Sequence, residues 1–514
     1  MKCRYLIQFL LTVVLCVACT DDDSFTTSPS YLLTFSTDTV KMDTVFSKIP
    51  SSTRTFWVFN RSGEGIRCVD VRLANGNQTG YRVNVDGVYL GQSAGYQTHN
   101  LEIRNKDSIR VFVELTSPEN GYPDPQILED NLVFTLESGA VQKVNLNAYT
   151  WDADILTDVT VKDELVLEGS KPTIIYGMMR VEEGATLRIP AGKTVYFHGN
   201  SGLEVYGQLM TEGTTEANVV LRGDRMDRMF DYLPYDMVSG QWQGIHFYES
   251  SYDNVLEYTD VHGAFNGIVC DSAAVDRQKL TMRNVTVHNC QGAGLSAVNA
   301  KVTLENCQLT NTLGACLDIL GGDCTLNHCT LAQFYPFDSN RGPALLFAAD
   351  ALHPLEQLNC MNSIITGYAE DVIMGAQNDS TTFNYTFAHS ILRTPEVDDS
   401  THFTHILWEE VKDTAAISGE KLFMLVDIDK QRYDFHLSEK STAIGRADKV
   451  TALPTDRDGR RRDEEPDAGC YEELKIYYDL KYENDKIRTK HPVLSVGGTE
   501  RGGTAAGAES HAGY

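Results

Sequence analysis

The chain has 514 residues, a formal net charge of −27 at pH 7, 42% hydrophobic residues and 40 glycines. The acidic balance argues against nucleic acid and anionic lipid headgroups as partners, because those surfaces attract clusters of Lys and Arg. The length allows two or three domains, and the glycine content favours a turn-rich β protein.

The first residues have the pattern of a cleaved export signal. Lys2 and Arg4 form a short basic region, residues 6–17 form an apolar stretch, and a small residue leads into Cys19. This ending resembles the lipobox of bacterial lipoproteins, in which the cysteine is lipidated and becomes the new N-terminus. It departs from that pattern in having Cys16 three residues before the cysteine. The alternative is an ordinary secretory signal with a coincidental cysteine.

An acidic run, residues 20–24 (TDDDS), follows the cysteine directly. It resembles the signal by which some Gram-negative bacteria export lipoproteins to the outer face of the outer membrane. The resemblance implies a cell-surface protein that contacts the membrane only through lipid on Cys19. An ordinary solvated tether over residues 20–30 is the alternative reading of the acidic run.

Residues 31–150 have the pattern of a small β domain. Alternating apolar stretches at 55–59 (TFWVF), 109–113 (IRVFV) and 132–136 (LVFTL) are separated by turn-forming residues. This pattern predicts a β-sandwich. The order of the stretches resembles immunoglobulin-like modules near the N-terminus of surface proteins, which implies a spacer, with ligand binding as an alternative.

A repeat of alternating apolar residues followed by a polar residue begins after residue 151. The polar positions are Asp260, Asn284, Asn306, His328, Asn362 and His389. Two successive intervals, 284 to 306 and 306 to 328, are 22 residues long. That length predicts one coil of a three-sided β-helix, with coils stacked at about 4.8 Å. The shared register predicts that these polar residues are structural bend residues and not catalytic ones.

The all-β region 151–472 resembles the right-handed parallel β-helix family that includes the pectate lyases. Residues 241–247 (QWQGIHF) resemble a motif that opens coils in such proteins. Residues 456–462 (DRDGRRR) and 466–472 (PDAGCYE) resemble a closing motif, which predicts a C-terminal cap over the end of the helix. The polar residues 473–514 are predicted to be a disordered tail.

Nine of the twelve cysteines lie after the signal. Their ladder spacing, as for Cys307 and Cys329, predicts buried free thiols in preference to a disulfide network. The chain has no C-x-x-C or H-E-x-x-H spacing, which argues against zinc.

Two excursions interrupt the repeat, at residues 222–241 and after Thr330. Loops extruded from a solenoid often carry its function. Aromatic and basic residues there, with the neighbouring Trp242, are the predicted ligand-binding residues: Tyr232, Tyr235, Trp242, Phe334, Tyr335, Phe337 and Arg341. The resemblance to the β-helix lyases implies acidic calcium ligands, and three carboxylates in the first excursion are the candidates: Asp224, Asp227 and Asp231. The alternative is that the aromatic side chains fold back onto the helix wall.

These observations favour a non-catalytic cell-surface lipoprotein that presents a β-helix to a polysaccharide or to a protein partner. One alternative is a polysaccharide lyase or glycoside hydrolase that acts on an acidic glycan. Another is a structural or adhesin protein. No catalytic residue can be assigned from the sequence, because no nucleophile elbow, phosphate-binding loop or dinucleotide motif is present.

Overall fold

The computed structural model describes residues 24–474, except residues 77, 231, 379–380, 410 and 413–414. Within this part of the chain the helical segments are short 3-10 turns at Gln92–Ala94, Tyr235–Met237 and Gly419–Leu422. No helix there is long and apolar enough to cross a membrane. The predicted all-β class is confirmed. Cys19 and nearly all of the predicted tail lie outside the described residues.

The N-terminal domain is a β-sandwich whose two sheets each have five strands within the described residues. One sheet consists of Thr34–Phe35, Arg54–Phe59, Ser108–Leu115, Tyr81–Val85 and Val88–Tyr89. The other consists of Thr39–Phe46, Val141–Trp151, Gln126–Leu136, Ile66–Leu73 and Gln97–Ile103. Alternate side chains of both sheets, such as Phe56 and Phe134, are buried in one core. The predicted β-sandwich is confirmed, and its immunoglobulin-like character stays a prediction.

The described residues between 154 and 408 wind into a parallel β-helix with three walls. Wall A is a parallel sheet of 11 strands, counted over the described residues. Its strands are Asp154–Thr157, Thr173–Tyr176, Thr194–Phe197, Val219–Gly223, Thr259–His262, Thr286–His288, Gln308–Thr310, Thr330–Gln333, Ile364–Gly367, Ile391–Leu392 and Leu407–Trp408.

Walls B and C belong to one sheet of 17 strands, counted over the same residues. They are joined because Leu295–Glu305 and Leu317–Asn327 run through both walls. The strands are Thr160–Val161, Glu164–Val166, Met178–Val181, Thr186–Pro190, Gly202–Val205, Gln208–Glu212, Ile245–Phe247, Asn254–Glu257, Ile268–Cys270, Gln278–Arg283, Leu295–Glu305, Leu317–Asn327, Leu345–Ala349, Leu355–Met361, Ile373–Gln377, Phe383–Ala388 and Phe403–Thr404.

Two antiparallel hairpins stand outside the three walls. Arg228–Phe230 pairs with Leu233–Pro234 in the first excursion. Phe423–Asp427 pairs with Arg432–Leu437 after the last coil. The second hairpin packs with Phe334 and Ile364 in a separate apolar cluster against wall A.

Five of the predicted bend residues lie one above another in neighbouring coils. They are Asn284, Asn306, His328, Asn362 and His389, and their φ angles lie between 49° and 58°. Short polar residues, and Asn above all, tolerate this left-handed conformation. The Asn306 amide also donates a hydrogen bond to Asn284 Oδ1 at 3.1 Å. The structural role predicted for these five positions is confirmed.

The sixth predicted bend residue, Asp260, does not lie at the bend. Leu256 pairs with Met282, and Asp260 pairs with Thr286, so the copy was aligned two residues out of register. Tyr258 occupies the bend, with a φ of 41°. Because strand side chains alternate with a period of two, a shift of two residues keeps the apolar pattern unchanged. The prediction was wrong for this residue, which lies in a strand of wall A.

All nine cysteines in the described part of the chain are buried and free. Cys307 and Cys329 lie in neighbouring coils, and each thiol contributes to the apolar core of the helix. Burial raises the pKa of Cys270 to about 12, because the thiolate is disfavoured away from water. The buried free thiols predicted from the spacing are confirmed.

The segment that was predicted to cap the helix end lies along its flank. Residues 448–472, here called the strap, run back over successive coils and then return. Bend residues bind the strap as it passes, with Asn362 Nδ2 3.0 Å from Thr451 Oγ1 and Asn306 Nδ2 2.9 Å from Thr455 O. The strap lies here because bend amides that face outward provide hydrogen-bond donors along the whole flank.

One arginine holds the two arms of the strap together. The buried Arg462 guanidinium donates to Glu472 at 2.9 Å and to Asn306 Oδ1 at 3.0 Å. A buried charge of this kind is stable only when it is paired and hydrogen-bonded. The strap is therefore an integral part of the described fold.

Candidate functional site

Both excursions leave the helix at the same corner, directly after a strand of wall A. The first lies between Val219–Gly223 and Ile245–Phe247, and the second between Thr330–Gln333 and Leu345–Ala349. Four coil steps separate them, or about 19 Å at the strand spacing. They meet where Ser239 Oγ lies 2.9 Å from Tyr335 Oη.

Three of the predicted ligand-binding residues are buried. The Trp242 indole stacks on Phe197 with ring centroids 4.1 Å apart, and it donates to the His262 carbonyl at 2.8 Å. Phe334 is fully buried, and Tyr335 is only 5% exposed. A ring enclosed on both faces cannot stack on a sugar, so these three residues belong to the packing of the helix wall and not to an open site.

The other four predicted residues lie on or near the surface of the excursions. Tyr232 and Phe337 are exposed, at 57% and 47%. The Arg225 guanidinium covers Tyr235, 3.7 Å from its ring centroid. Arg341 donates to the Tyr335 carbonyl. The predicted residues therefore do not converge on one site, and their part in ligand binding stays a prediction.

The candidate calcium ligands are engaged with other groups. Asp224 Oδ2 lies 2.7 Å from His198 Nδ1. Asp227 accepts two hydrogen bonds from Arg225 at 2.7 Å and one from Ser52 in the β-sandwich at 2.8 Å. Asp231 lies outside the described residues. The two described carboxylates thus have cationic or polar partners, and Asp227 joins the two domains.

A polar cleft lies on wall A beside the first excursion. This flank cleft has a volume of about 320 Å³. The Arg432–Leu437 strand and the strap form its opposite side. Its lining residues are Met237, Asp260, Thr286, His288, Asn289, Gln308, Thr310, Asn311, Tyr433, Asp434, Phe435, His436, Arg457 and Tyr471.

Two histidines and two aspartates form a connected group at one end of this cleft. His262 lies between two carboxylates, with Nδ1 2.6 Å from Asp260 Oδ1 and Nε2 2.8 Å from Asp236 Oδ1. His288 Nε2 lies 3.3 Å from the same oxygen of Asp260. The two imidazole rings stack with centroids 4.7 Å apart. We call these four residues the histidine cluster.

In this cluster the attraction between opposite charges shifts the pKa values more than burial does. Burial lowers the pKa of His262, but the two carboxylates raise it by a larger amount, and the pKa is about 9. Burial raises the pKa of Asp236, but its bond to His262 and the nearby Arg222 bring it down to about 2. The pKa of Asp260 is held well below its usual range by the two histidines, against the opposing effect of burial. His262, Asp236 and Asp260 are therefore ionised at neutral pH.

A third histidine, His436, lines the opposite side of the cleft. His436 Nδ1 lies 2.6 Å from Asp434 Oδ1, and Nε2 lies 2.9 Å from Asp458 Oδ2. Its ring packs on Tyr471 with centroids 4.1 Å apart. Burial lowers the pKa of His436, but the two aspartates outweigh that effect and raise it. Both sides of the cleft therefore carry charged groups of both signs.

One acceptor in the cleft wall has no internal partner. Asn311 Oδ1 is buried and has no hydrogen-bond partner among the described residues. Buried acceptors are normally satisfied, so this oxygen is an unmet acceptor in the lining of the cleft. Nearby, the Tyr471 hydroxyl donates a hydrogen bond to Gln308 Oε1 at 2.9 Å, which fixes the orientation of the Gln308 side-chain amide.

Of the cleft residues, the sequence pattern pointed to Asp260 as a bend residue and to Arg457 and Tyr471 as members of the closing motif. The strands that hold the two histidines both end in Val-His, at 261–262 and 287–288, and these residues pair directly. The recurrence of Val-His after 26 residues was the sequence signal that could have identified the two histidines as neighbours. It was hidden because the preceding copy had been aligned two residues out of register.

Comparison with known proteins agrees with the fold. Residues 179–332 match the family model described as "Right handed beta helix region". The right-handed parallel β-helix predicted from the repeat is confirmed. A comparison with curated proteins found no match.

Two solved structures show a distant likeness to this chain. One is the catalytic domain of a GH87 α-1,3-glucanase in complex with nigerose, at 10% identity and a TM-score of 0.19, covering 71% of this chain and 91% of that chain. The other is a family 123 glycoside hydrolase from Clostridium perfringens, at 8% identity and a TM-score of 0.16. That match covers 25% of this chain and 26% of the hydrolase, so the chain spans about a quarter of its length. Neither likeness carries an argument about function at these scores.

Proposed function

We propose that the protein binds a glycan in the flank cleft and presents this site at the bacterial cell surface. The observation that carries the proposal is the lining of the cleft, which combines amides, carboxylates, imidazoles and tyrosine rings. A sugar hydroxyl both donates and accepts hydrogen bonds, so it can pair with each of these polar groups. The half-buried Tyr433 ring beside them suits the apolar face of a sugar.

Two amides directly after strands of wall A are well suited to contact a sugar. Asn289 and Asn311 both line the cleft, and their φ angles are 53° and 56°. The unpartnered Oδ1 of Asn311 would accept a hydroxyl proton. On the opposite side, Asp434 would accept a hydrogen bond from the same ligand, and Arg457 would donate one to it. The volume of about 320 Å³ lies at the small end of the range for ligand sites.

The location is a separate part of the proposal. It rests on the resemblance of the N-terminal residues to a lipoprotein signal, and Cys19 lies outside the described residues. The N-terminal β-sandwich would then act as a spacer between the membrane and the β-helix. Metabolic labelling with a radioactive fatty acid tests the anchor, because Cys19→Ser must lose the label if Cys19 carries the lipid.

A glycan array probed with the purified protein tests the binding proposal. We expect selective binding that falls about tenfold, equivalent to about 1.4 kcal/mol, in Asn311→Gly and in Asn289→Gly. Glycine removes the amide but keeps the left-handed backbone accessible, so the change is local. Asn200→Gly is the matched control, because Asn200 is exposed and has a φ of 65° at a different turn.

Two results would contradict glycan binding in the cleft. One is the absence of selective binding to any glycan, with calcium and with a chelator. The other is binding that both cleft variants retain at full strength. The first result would direct the search to protein partners, and the second to the exposed aromatic residues of the excursions.

Catalysis on a polysaccharide is the second candidate function. It is favoured by the two carboxylates that share His262 beside the cleft, since such groups serve as acids and bases in sugar chemistry. Incubation with a panel of neutral and acidic polysaccharides tests it. New reducing ends, or the ultraviolet absorbance of unsaturated uronic acids, would support an enzyme if Asp260→Asn abolished them. Unchanged polysaccharides across the panel would exclude this candidate for the substrates tested.

A further inference from the structure

We propose that Asp260, His262 and His288 bind a divalent transition-metal ion at the end of the flank cleft. Each offers one ligand atom, and these three atoms all lie within 4.8 Å of one another. The site goes beyond glycan binding and does not depend on it. It is also distinct from the calcium site predicted in the first excursion.

The type of donor selects the class of metal. Two imidazole nitrogens and one carboxylate oxygen suit Zn²⁺ and its neighbours in the first transition row. Calcium and magnesium prefer oxygen ligands, and this set supplies only one such side chain. We therefore expect Zn²⁺ or Co²⁺ to bind, and Ca²⁺ to compete poorly.

A second aspartate orients one of the imidazoles. Asp236 Oδ1 lies 2.8 Å from His262 Nε2, on the opposite side of the ring from Asp260. Metal binding releases the Nδ1 proton of His262 to solvent. With Nε2 still donating its hydrogen to Asp236, the freed lone pair of Nδ1 points to the proposed metal position. Arg222 Nη1 lies 2.6 Å from the same oxygen of Asp236 and holds the carboxylate in place. Carboxylate support of a metal-binding histidine is common in metal sites.

The β-helix holds the ligands rigidly. Asp260 pairs with Thr286 and His262 pairs with His288 in the wall A ladder, so the coil spacing sets the separation of the imidazoles. The buried Trp242 indole donates to the His262 carbonyl at 2.8 Å and fixes the backbone at this point. Ligands on packed strands need little reorganisation to bind a metal.

The site would be open on one side. Asp260 and His288 line the flank cleft, so a bound ion would face the cleft. Three protein ligands leave coordination positions for water or for an oxygen of a cleft ligand. The absence of short zinc motifs does not conflict with this arrangement, because the ligands come from two coils and not from one helix or loop.

Isothermal titration of tag-free protein with ZnCl₂, after treatment with a chelator, tests the proposal. We expect a single equivalent to bind, with Asp260→Asn and His288→Asn each losing that equivalent. Asp236→Asn should weaken zinc binding by about 10–100-fold, since it removes only the orienting carboxylate. His198→Asn is the matched control, because this histidine also faces one aspartate on wall A but has no second histidine in the group.

A second measurement identifies the ligands and guards against misfolded variants. Co²⁺ bound to the wild-type protein should give visible absorption bands typical of nitrogen ligation, and those bands should be absent in His288→Asn. Zinc should also raise the Tm of the wild-type protein and not that of His288→Asn. The proposal is overturned if the wild-type protein binds neither ion at micromolar concentration. It is equally overturned if folded His288→Asn binds both ions as the wild type does.

Discussion

The bend residues and the histidine cluster come from the same coils but differ in what determines their conformation. Asn284 and His288 are only four residues apart, yet Asn284 has a left-handed backbone at a bend and His288 lies in an extended strand. The bend position selects residues by backbone conformation. The outward positions of wall A have an ordinary extended backbone that any residue can adopt. Polar side chains from neighbouring coils can therefore meet there. In a solenoid, the register position of a polar residue is therefore more informative than its type.

The largest expected effect is at a bend. Asn306→Val should lower the free energy of unfolding by about 3 kcal/mol, because a β-branched residue is strained at positive φ and three hydrogen bonds of the side chain are lost. Those bonds join Asn306 to Asn284, Thr455 and Arg462. Urea unfolding followed by circular dichroism measures the change.

Asn306→Gly separates the two contributions to that loss. Glycine keeps the left-handed conformation and loses only the hydrogen bonds, so it should cost clearly less than valine. Equal stability of the valine variant and the wild type would contradict a structural role for the bend.

A smaller effect is expected in the histidine cluster. Asp260→Asn should lower the free energy of unfolding by about 2 kcal/mol, because it weakens a charge-assisted bond to His262 that is largely shielded from water. Asp271→Asn is the control, since Asp271 lies 2.8 Å from His246 but both side chains are more exposed. The control should change stability by less than about 1 kcal/mol. Equal losses in the two variants would show that the cluster has no special stability.

The smallest effect concerns pH and the histidine opposite the cluster. The pKa of His436 is raised in the folded protein, so its contribution to stability is complete below its ordinary value of about 6.5 and is lost as pH rises through the folded value. The pKa of Asp458 is lowered, mainly by its bond to His436, so its contribution is lost as pH falls below the ordinary value of about 3.9. Unfolding of His436→Gln should therefore show a smaller loss of stability than the wild type between neutral and mildly alkaline pH. Parallel curves for the two proteins would contradict this prediction.

The helix repeat was predictable because its pattern is local. Alternating apolar residues and a polar bend recur within each coil, and five of the six bend residues were identified correctly. The sixth, Asp260, was misplaced because a shift of two residues preserves the alternation. Trp242 was considered for ligand binding because aromatic residues near loops suit sugars, but the structure buries it against Phe197.

The sequence by itself determined the all-β class, the coil repeat, the β-sandwich and the buried thiols, since each depends on residues close together in the chain or on one periodicity. Only the tertiary structure decided the position of the strap, the common corner of the two excursions and the flank cleft. These features depend on which residues of neighbouring coils lie side by side. A local sequence pattern does not give that alignment, because the coils differ in length. The histidine cluster shows the difference, because Asp236 of the first excursion meets His262, and His262 meets His288, only when the excursion folds against two stacked coils of wall A.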